Sequence, residues 1–186
     1  MKHIVFLLEE LSAKEMLKSL LPRLALEISY RCIVFEGKQD LEKNLVKKIR
    51  AYRVPHSQFV VLRDQDAGDC HIIKQNLLEL CKKSNKPESL VRIACRELES
   101  WYLADLKAVE QGLNISGLAK HQSKKKYRAP DYLQSPSTEL KKLTKNQYQK
   151  VSGSRKIGAH LDFTNKKSKS FRWFIEGIRK ISDNSL

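Results

Sequence analysis

Four short apolar runs, each followed by a stretch with helix-like character, constrain this chain more than anything else in it. The runs are residues 3–8, 30–35 (Tyr-Arg-Cys-Ile-Val-Phe), 58–63 and 90–95 (Leu-Val-Arg-Ile-Ala-Cys). At this length and with this composition each reads as a strand. Between them stand helix signals. Ser12-Ala13-Lys14-Glu15 has the form of a capping box and predicts a helix from there to about Pro22. Asp40 is placed to cap a second helix, with Leu41, Leu45, Ile49 and Tyr52 at near-helical spacing before Pro55. Asp69 is placed to cap a third, with Ile72, Ile73, Leu77, Leu80 and Cys81 on its inner face and Asn85-Lys86-Pro87 as its stop. A short helix through Leu98–Leu103 follows, with Leu113 as its furthest extent. Strands separated by helices of this length need right-handed crossovers, and so the expected fold is α/β with a parallel sheet.

Beyond residue 114 the alternation degrades. Residues 114–137 hold Lys124-Lys125-Lys126, Pro130 and Pro136 and read as a loop or a partly ordered insertion. Pro136-Ser137-Thr138-Glu139 opens a short helix to about Lys145, and Ser152-Gly153-Ser154 reads as a turn. From Ser170 to Ile181, Phe171, Phe174, Ile175 and Ile178 recur at helical spacing, so this last element is expected to pack on the core. The expected division is an α/β core over residues 1–113 and a basic loop and helical extension over 114–186.

Charge follows the same division. Of the net +15, residues 1–119 contribute only +3, from 19 Lys and Arg against 16 Asp and Glu, while residues 120–180 contribute +13, from 17 against 4. Clustering of that kind is the footprint of a polyphosphate partner, most often nucleic acid; a basic face that serves solubility alone is the plainer alternative. Lys124, Lys125, Lys126 and Arg128, with Tyr127 among them, are the first candidates to touch a nucleic-acid backbone, and Arg155 with Lys156 the second. Such contacts set affinity without reading sequence. No apolar run approaches the roughly 20 residues needed to span a bilayer. Ile4-Val5-Phe6-Leu7-Leu8 is too short for a signal peptide, so a cytoplasmic protein with no membrane partner is expected. Cys32, Cys81 and Cys95 lie in apolar stretches and read as buried thiols, while Cys70-His71 has no second pair at zinc-site spacing.

The chemistry sits where the strands end. Glu9-Glu10 follows the first strand, Asp64 and Asp66 the third, and Glu97 and Glu99 the fourth. In a parallel sheet these ends share one edge, where open α/β folds bind ligands. Neighbouring carboxylates raise one another's pKa unless a cation lies between them, and an oxygen-rich, histidine-free set suits Mg2+ or Mn2+. The plainer reading is that each acid caps a turn. Trp101, directly after the acidic motif, is expected to anchor the core rather than to stack on a base.

With these residues in view, the arrangement resembles the Toprim fold shared by type IA and type II topoisomerases, bacterial primases and the overcoming-lysogenization-defect nucleases. That family places a glutamate after strand one and an Asp-x-Asp after strand three, as Glu9 and Asp64-Gln65-Asp66 stand here. The chain is still more similar to a bacterial Toprim-like group, the domain-of-unknown-function 4276 family. The similarity runs through Glu9-Glu10-Leu11-Ser12, Gly37-Lys38-Gln39-Asp40-Leu41, Asp64-Gln65-Asp66, residues 96–105 and Ser168-Lys169-Ser170-Phe171.

The resemblance implies a three-layer fold with a central, mostly parallel four-stranded sheet. It further implies that Glu9, Asp64 and Asp66 bind Mg2+ (or Mn2+), with Glu97 or Glu99 completing the shell or orienting water as a general base. Toprim proteins carry glycine where this chain has Glu10, which makes Glu10 a candidate further ligand. Val34-Phe35-Glu36-Gly37 imitates the first motif, but only one helix would then separate Glu36 from Asp64, so Glu9 is the favoured glutamate. Lys38, after the second strand, is placed either to stabilise charge at a scissile phosphate or simply as a solvated turn residue.

The resemblance implies a metal-dependent nuclease of nucleic acid, with a role in bacterial defence beside a partner ATPase; the sequence carries no G-x-x-x-x-G-K-[ST] loop, so any ATPase must come from another chain. A second copy of the chain is a further candidate partner. The first alternative is a non-catalytic nucleic-acid-binding or regulatory subunit. The second, an aspartyl-phosphate enzyme of the haloacid-dehalogenase kind, fits poorly, because such enzymes carry their Asp-x-Asp after the first strand.

Overall fold

The computed structural model describes residues 2–183. All four predicted strands are present: β1 (Lys2–Leu8), β2 (Ile28–Val34), β3 (Gln58–Asp64) and β4 (Leu90–Ala94). They form one wholly parallel sheet in the order β2-β1-β3-β4. The two central strands are buried on both faces, which is why they read as unbroken apolar runs. Alternation along β1 sends Ile4, Phe6 and Leu8 into one core and Val5 and Leu7 into the other.

Helices cover both faces, giving three layers. Helix α1 (Leu11–Leu20) packs on the first face, and α2 (Lys38–Ala51) and α3 (Cys70–Lys83) on the second. Then come α4 (Glu99–Leu103), α5 (Leu106–Leu113), α6 (Lys125–Arg128), α7 (Pro136–Leu143), α8 (Lys150–Gly158) and α9 (Lys169–Asp183). Buried residues of α4, α5, α7, α8 and α9 all join the first core. Among the described residues, no helix is long and apolar enough to cross a membrane.

Several local expectations need correction. The first helix starts at Leu11, with Glu10 as its N-cap, and the capping box does not form. The Ser12 hydroxyl donates to Glu10 Oε1 at 2.8 Å, while Glu15 engages Lys18 and Arg155. Asp40 lies inside α2 and reaches back to the Glu36 N–H (2.9 Å), with Gly37 at the N-cap. Asp69 does cap α3, accepting from the His71 and Ile72 N–H groups, but Ile72 is 58% exposed. The helix after β4 breaks at Asp105, which accepts from the Ala108 N–H and so opens α5. Residues 114–137 are folded into short helical turns held by Gln122, whose side chain bonds Leu103, Leu106 and Tyr127 backbone groups. Cys81 is buried, Cys32 and Cys95 only partly so, and all four cysteines are free.

Ser152-Gly153-Ser154 is the largest correction, for it lies inside α8 rather than in a turn. Both glycines of that helix mark close approach. A Cβ on Gly158 would meet the Met16 carbonyl oxygen of α1 at 2.7 Å, and one on Gly153 would meet the Tyr148 ring at 2.6 Å. Trp101, wholly buried, ties α4 to α9 through Phe171, Phe174 and a 2.8 Å bond from Nε1 to Ser170 Oγ.

Candidate functional site

The register of the two central strands builds the site. Leu8 pairs with Leu62, so Glu9 emerges beside the end of β3, and its Oε2 accepts the Asp64 N–H at 3.0 Å. Buried Arg63 holds Glu42 at 3.2 Å, but its Nε stands 4.0 Å from Glu9, too far for a hydrogen bond. Burial is the main cause that lifts the Glu9 carboxyl above its ordinary range, partly opposed by the Asp64 N–H. Glu36, the imitator, is exposed after the edge strand β2.

Asp64, the last residue of β3, is half-buried. Burial first, then the charges of Glu99, Glu9 and Glu10, push its carboxyl well above the usual aspartate range, with Lys150 opposing. Glu99, the first residue of α4, is 1% exposed. Its Oε1 accepts from the Tyr148 hydroxyl at 2.8 Å, and its Oε2 has no hydrogen-bond partner. Burial raises this carboxyl too, against the pull of Lys150 and Tyr148. Glu10 closes the cluster, with Oε2 at 2.6 Å from Lys150 Nζ.

The other predicted acids turn aside. Asp66 has left-handed backbone (φ 55°), donates its N–H to the Arg96 carbonyl and pairs its carboxylate with Lys38 at 2.7 Å. The bond that Lys38 donates to Asp66 is the main cause that raises the Lys38 ammonium. The pair sits at the rim, 46% and 37% exposed, and Asp66 still adds to the field at Glu9. Glu97 accepts the Ser137 N–H at 2.6 Å, satisfying the first turn of α7. Among the described residues, no group of three or more His, Cys, Asp or Glu is already gathered to hold a metal ion.

The predicted basic residues also divide. Lys124, Lys125, Arg128 and Lys156 are exposed. Lys126 pairs with Glu139 at 2.6 Å and lies over the Tyr127 ring, and Arg155 pairs with the buried Glu15 of α1. Two site residues escaped the sequence reading altogether, Tyr148 and Lys150. The only trace of Lys150 is its place just before a stretch that reads as a turn.

Fold and site define a class: a three-layer, all-parallel α/β protein with acidic side chains at the carboxyl edge of its central strands, met by Lys150 within and Lys38 at the rim. Residues 8–179 match the family described as a domain of unknown function (DUF4276), and the chain belongs to that family. Neither a curated protein nor a solved structure matches it.

Proposed function

We propose that this protein is a Toprim-like, Mg2+-dependent nuclease that cleaves phosphodiester bonds of nucleic acid. One observation carries the reading. Glu9, Asp64 and Glu99 come from three different strand ends, yet burial first and then the charges of Glu99 and Glu9 push the Asp64 carboxyl well above its usual range, beside a buried Glu99 Oε2 that has no hydrogen-bond partner. Evolution of a core does not require this; a buried carboxylate beside others is costly unless a cation is part of the design. The donor chemistry fits Mg2+ or Mn2+, for every candidate ligand is an oxygen and Glu99 Oε2, fully buried, lacks any partner. Glu9, Asp64 and Glu99 would hold the ion, with Glu10 beside them. Such an ion, when bound, supplies activation of water and stabilisation of a leaving oxygen.

The chain's own groups divide the remaining work. The Asp64 N–H and the Tyr148 hydroxyl orient Glu9 and Glu99. Lys38, exposed at the rim, is positioned to meet a phosphate oxygen, and Lys124, Lys125, Arg128 and Lys156 supply sequence-independent backbone contacts. A cytoplasmic role in bacterial defence beside an ATPase goes with this reading.

A specific observation favours a second reading. Because Lys150 already engages Glu10 and no three acids are gathered for a metal among the described residues, the site also suits a non-catalytic nucleic-acid-binding or regulatory subunit. Asp64→Asn separates the two. Purified protein is incubated with single-stranded DNA, duplex DNA and RNA in Mg2+ or Mn2+, and binding is followed by gel shift. A nuclease cleaves at least one substrate, and D64N abolishes cleavage while binding persists. Cleavage that survives D64N, or none by the unaltered protein in either metal, refutes the enzyme.

A further inference from the structure

The largest oddity of the site is its cation. Lys150 is the first residue of α8, where the helix dipole presents its positive end and an acid is preferred, and the first turn of α8 carries no acid. Local preference is broken there, as happens where function demands it. The helix is held in place by other means: Gly158 against the Met16 backbone and Arg155 on the buried Glu15. These contacts deliver the Lys150 ammonium to the acidic cluster, 2.6 Å from Glu10 Oε2. Its neighbours by charge are Glu10, Glu99 and Asp64; burial pulls the ammonium down, and these three outweigh it, so that it stays charged.

The balance of charge is incomplete. Lys150 meets Glu10 directly and lies in the field of Glu99 and Asp64, while Glu9 has only Arg63 Nε, at 4.0 Å. Glu99 Oε2, in a residue only 1% exposed, is left without a donor. An ammonium offsets one charge and cannot serve every oxygen; a divalent ion offsets two and takes several oxygen ligands. The two cations repel at short range, so both cannot occupy the middle of the cluster.

We propose that Lys150 is a tethered cation that neutralises the acidic cluster in the metal-free protein and competes with a divalent ion for it. This rests on the metal reading above and adds its regulation. The side chain is 47% exposed, so it can swing outward on its flexible stem without unfolding α8. Lys150 thereby sets how much divalent ion the site needs, and holds the acids together when there is none.

The test measures Mn2+ affinity, by the loss of the free-ion paramagnetic resonance signal, and melting temperature in EDTA and in saturating Mn2+. The proteins compared are the unaltered chain, Lys150→Met and Lys150→Arg. Competition expressed as a coupling between two cations predicts that K150M binds Mn2+ about tenfold tighter. It also predicts that K150M melts lower in EDTA, with the gap closed by Mn2+, while K150R stays close to the unaltered protein. Equal or weaker Mn2+ binding by K150M, with the unaltered protein binding normally, overturns the competition and leaves the metal reading intact. Absence of Mn2+ binding by all three proteins overturns the metal reading and the competition with it. Should K150M fail to fold, K150R decides: its bulkier cation must bind Mn2+ no tighter than the lysine does, and tighter binding overturns the proposal.

Discussion

Gly112, in the last turn of α5, sets helix propensity against packing with opposite signs. Propensity alone says that Gly112→Ala stabilises the helix by up to about 1 kcal/mol. Packing says otherwise. A Cβ added there would lie 2.8 Å from each of three backbone atoms of α8, Ile157 Cα, Ile157 N and the Lys156 carbonyl carbon. Carbon atoms in good contact stand roughly 3.5–4.0 Å apart, so the two helices must part by on the order of 1 Å. Backbone cannot rotate out of the way as a side chain can. Overpacking costs about 1–3 kcal/mol; with three backbone atoms met at once the upper part of that range, about 2–3 kcal/mol, applies, and subtracting the propensity gain leaves a net loss of about 1–2 kcal/mol. In a domain of this size each kcal/mol moves the melting point by about 2–4 °C, which places the expected fall at about 2–8 °C. Thermal melts followed by far-ultraviolet circular dichroism measure it, and a guanidinium titration checks the free energy. A G112A protein that melts at or above the unaltered temperature refutes the close α5–α8 contact.

Glu97 and Glu99 are told apart by isosteric amides. Glu97→Gln keeps an acceptor for the Ser137 N–H and should leave Mn2+ affinity unchanged, whereas Glu99→Gln should weaken it by at least about tenfold. E99Q should also melt higher in EDTA, since a neutral amide still accepts from Tyr148 and no longer repels Asp64; a lower melting point would contradict the repulsion. The Asp69 cap gives a pH signature. Bonds from the Ile72 and His71 N–H groups hold the Asp69 carboxyl below its ordinary range. Its charge therefore adds stability that is complete above the unfolded value, about 3.9, and fades as pH falls through the lower folded value. Asp69→Asn keeps a capping oxygen without the charge, so its stability deficit in urea should shrink as pH drops below that value; a deficit constant with pH would contradict the assignment.

What was legible in the fold follows from what each residue had to satisfy. Val5-Phe6-Leu7-Leu8 and Phe59-Val60-Val61-Leu62 are buried on both faces of the sheet, so their apolar character shows without any periodicity. Asp69 shows because an exposed N-cap is satisfied locally. The failures are residues whose role is tertiary. Gly153 looks like a turn residue, but it is small because the Tyr148 ring lies against it. Ser12 looks like a cap, but its hydroxyl serves a neighbouring site carboxylate, Glu10. Gln122 gave no signal at all, although three backbone groups of the region read as loose converge on its amide.

The site divides along the same line. Its acids were visible because a parallel sheet delivers every strand end to one edge, so an acid after an apolar run is already placed. Their orientation was not visible. Two residues of offset send Glu99 into the cluster and Glu97 to the start of α7, and the left-handed turn at Asp66 parts it from Asp64. Lys150 lay further beyond reach, since its place before an apparent turn does not mark it out from the many other lysines of a strongly basic region. Only the stacking of α8 on α1, by Gly158 and Arg155, decides that this lysine and not Lys145 or Lys156 meets Glu10. Acids that follow strands are a property of topology, and a cation that meets them is a property of packing. On the proposed metal reading, a change in the α1–α8 contact is therefore expected to alter Mn2+ affinity without touching any residue that would hold the ion.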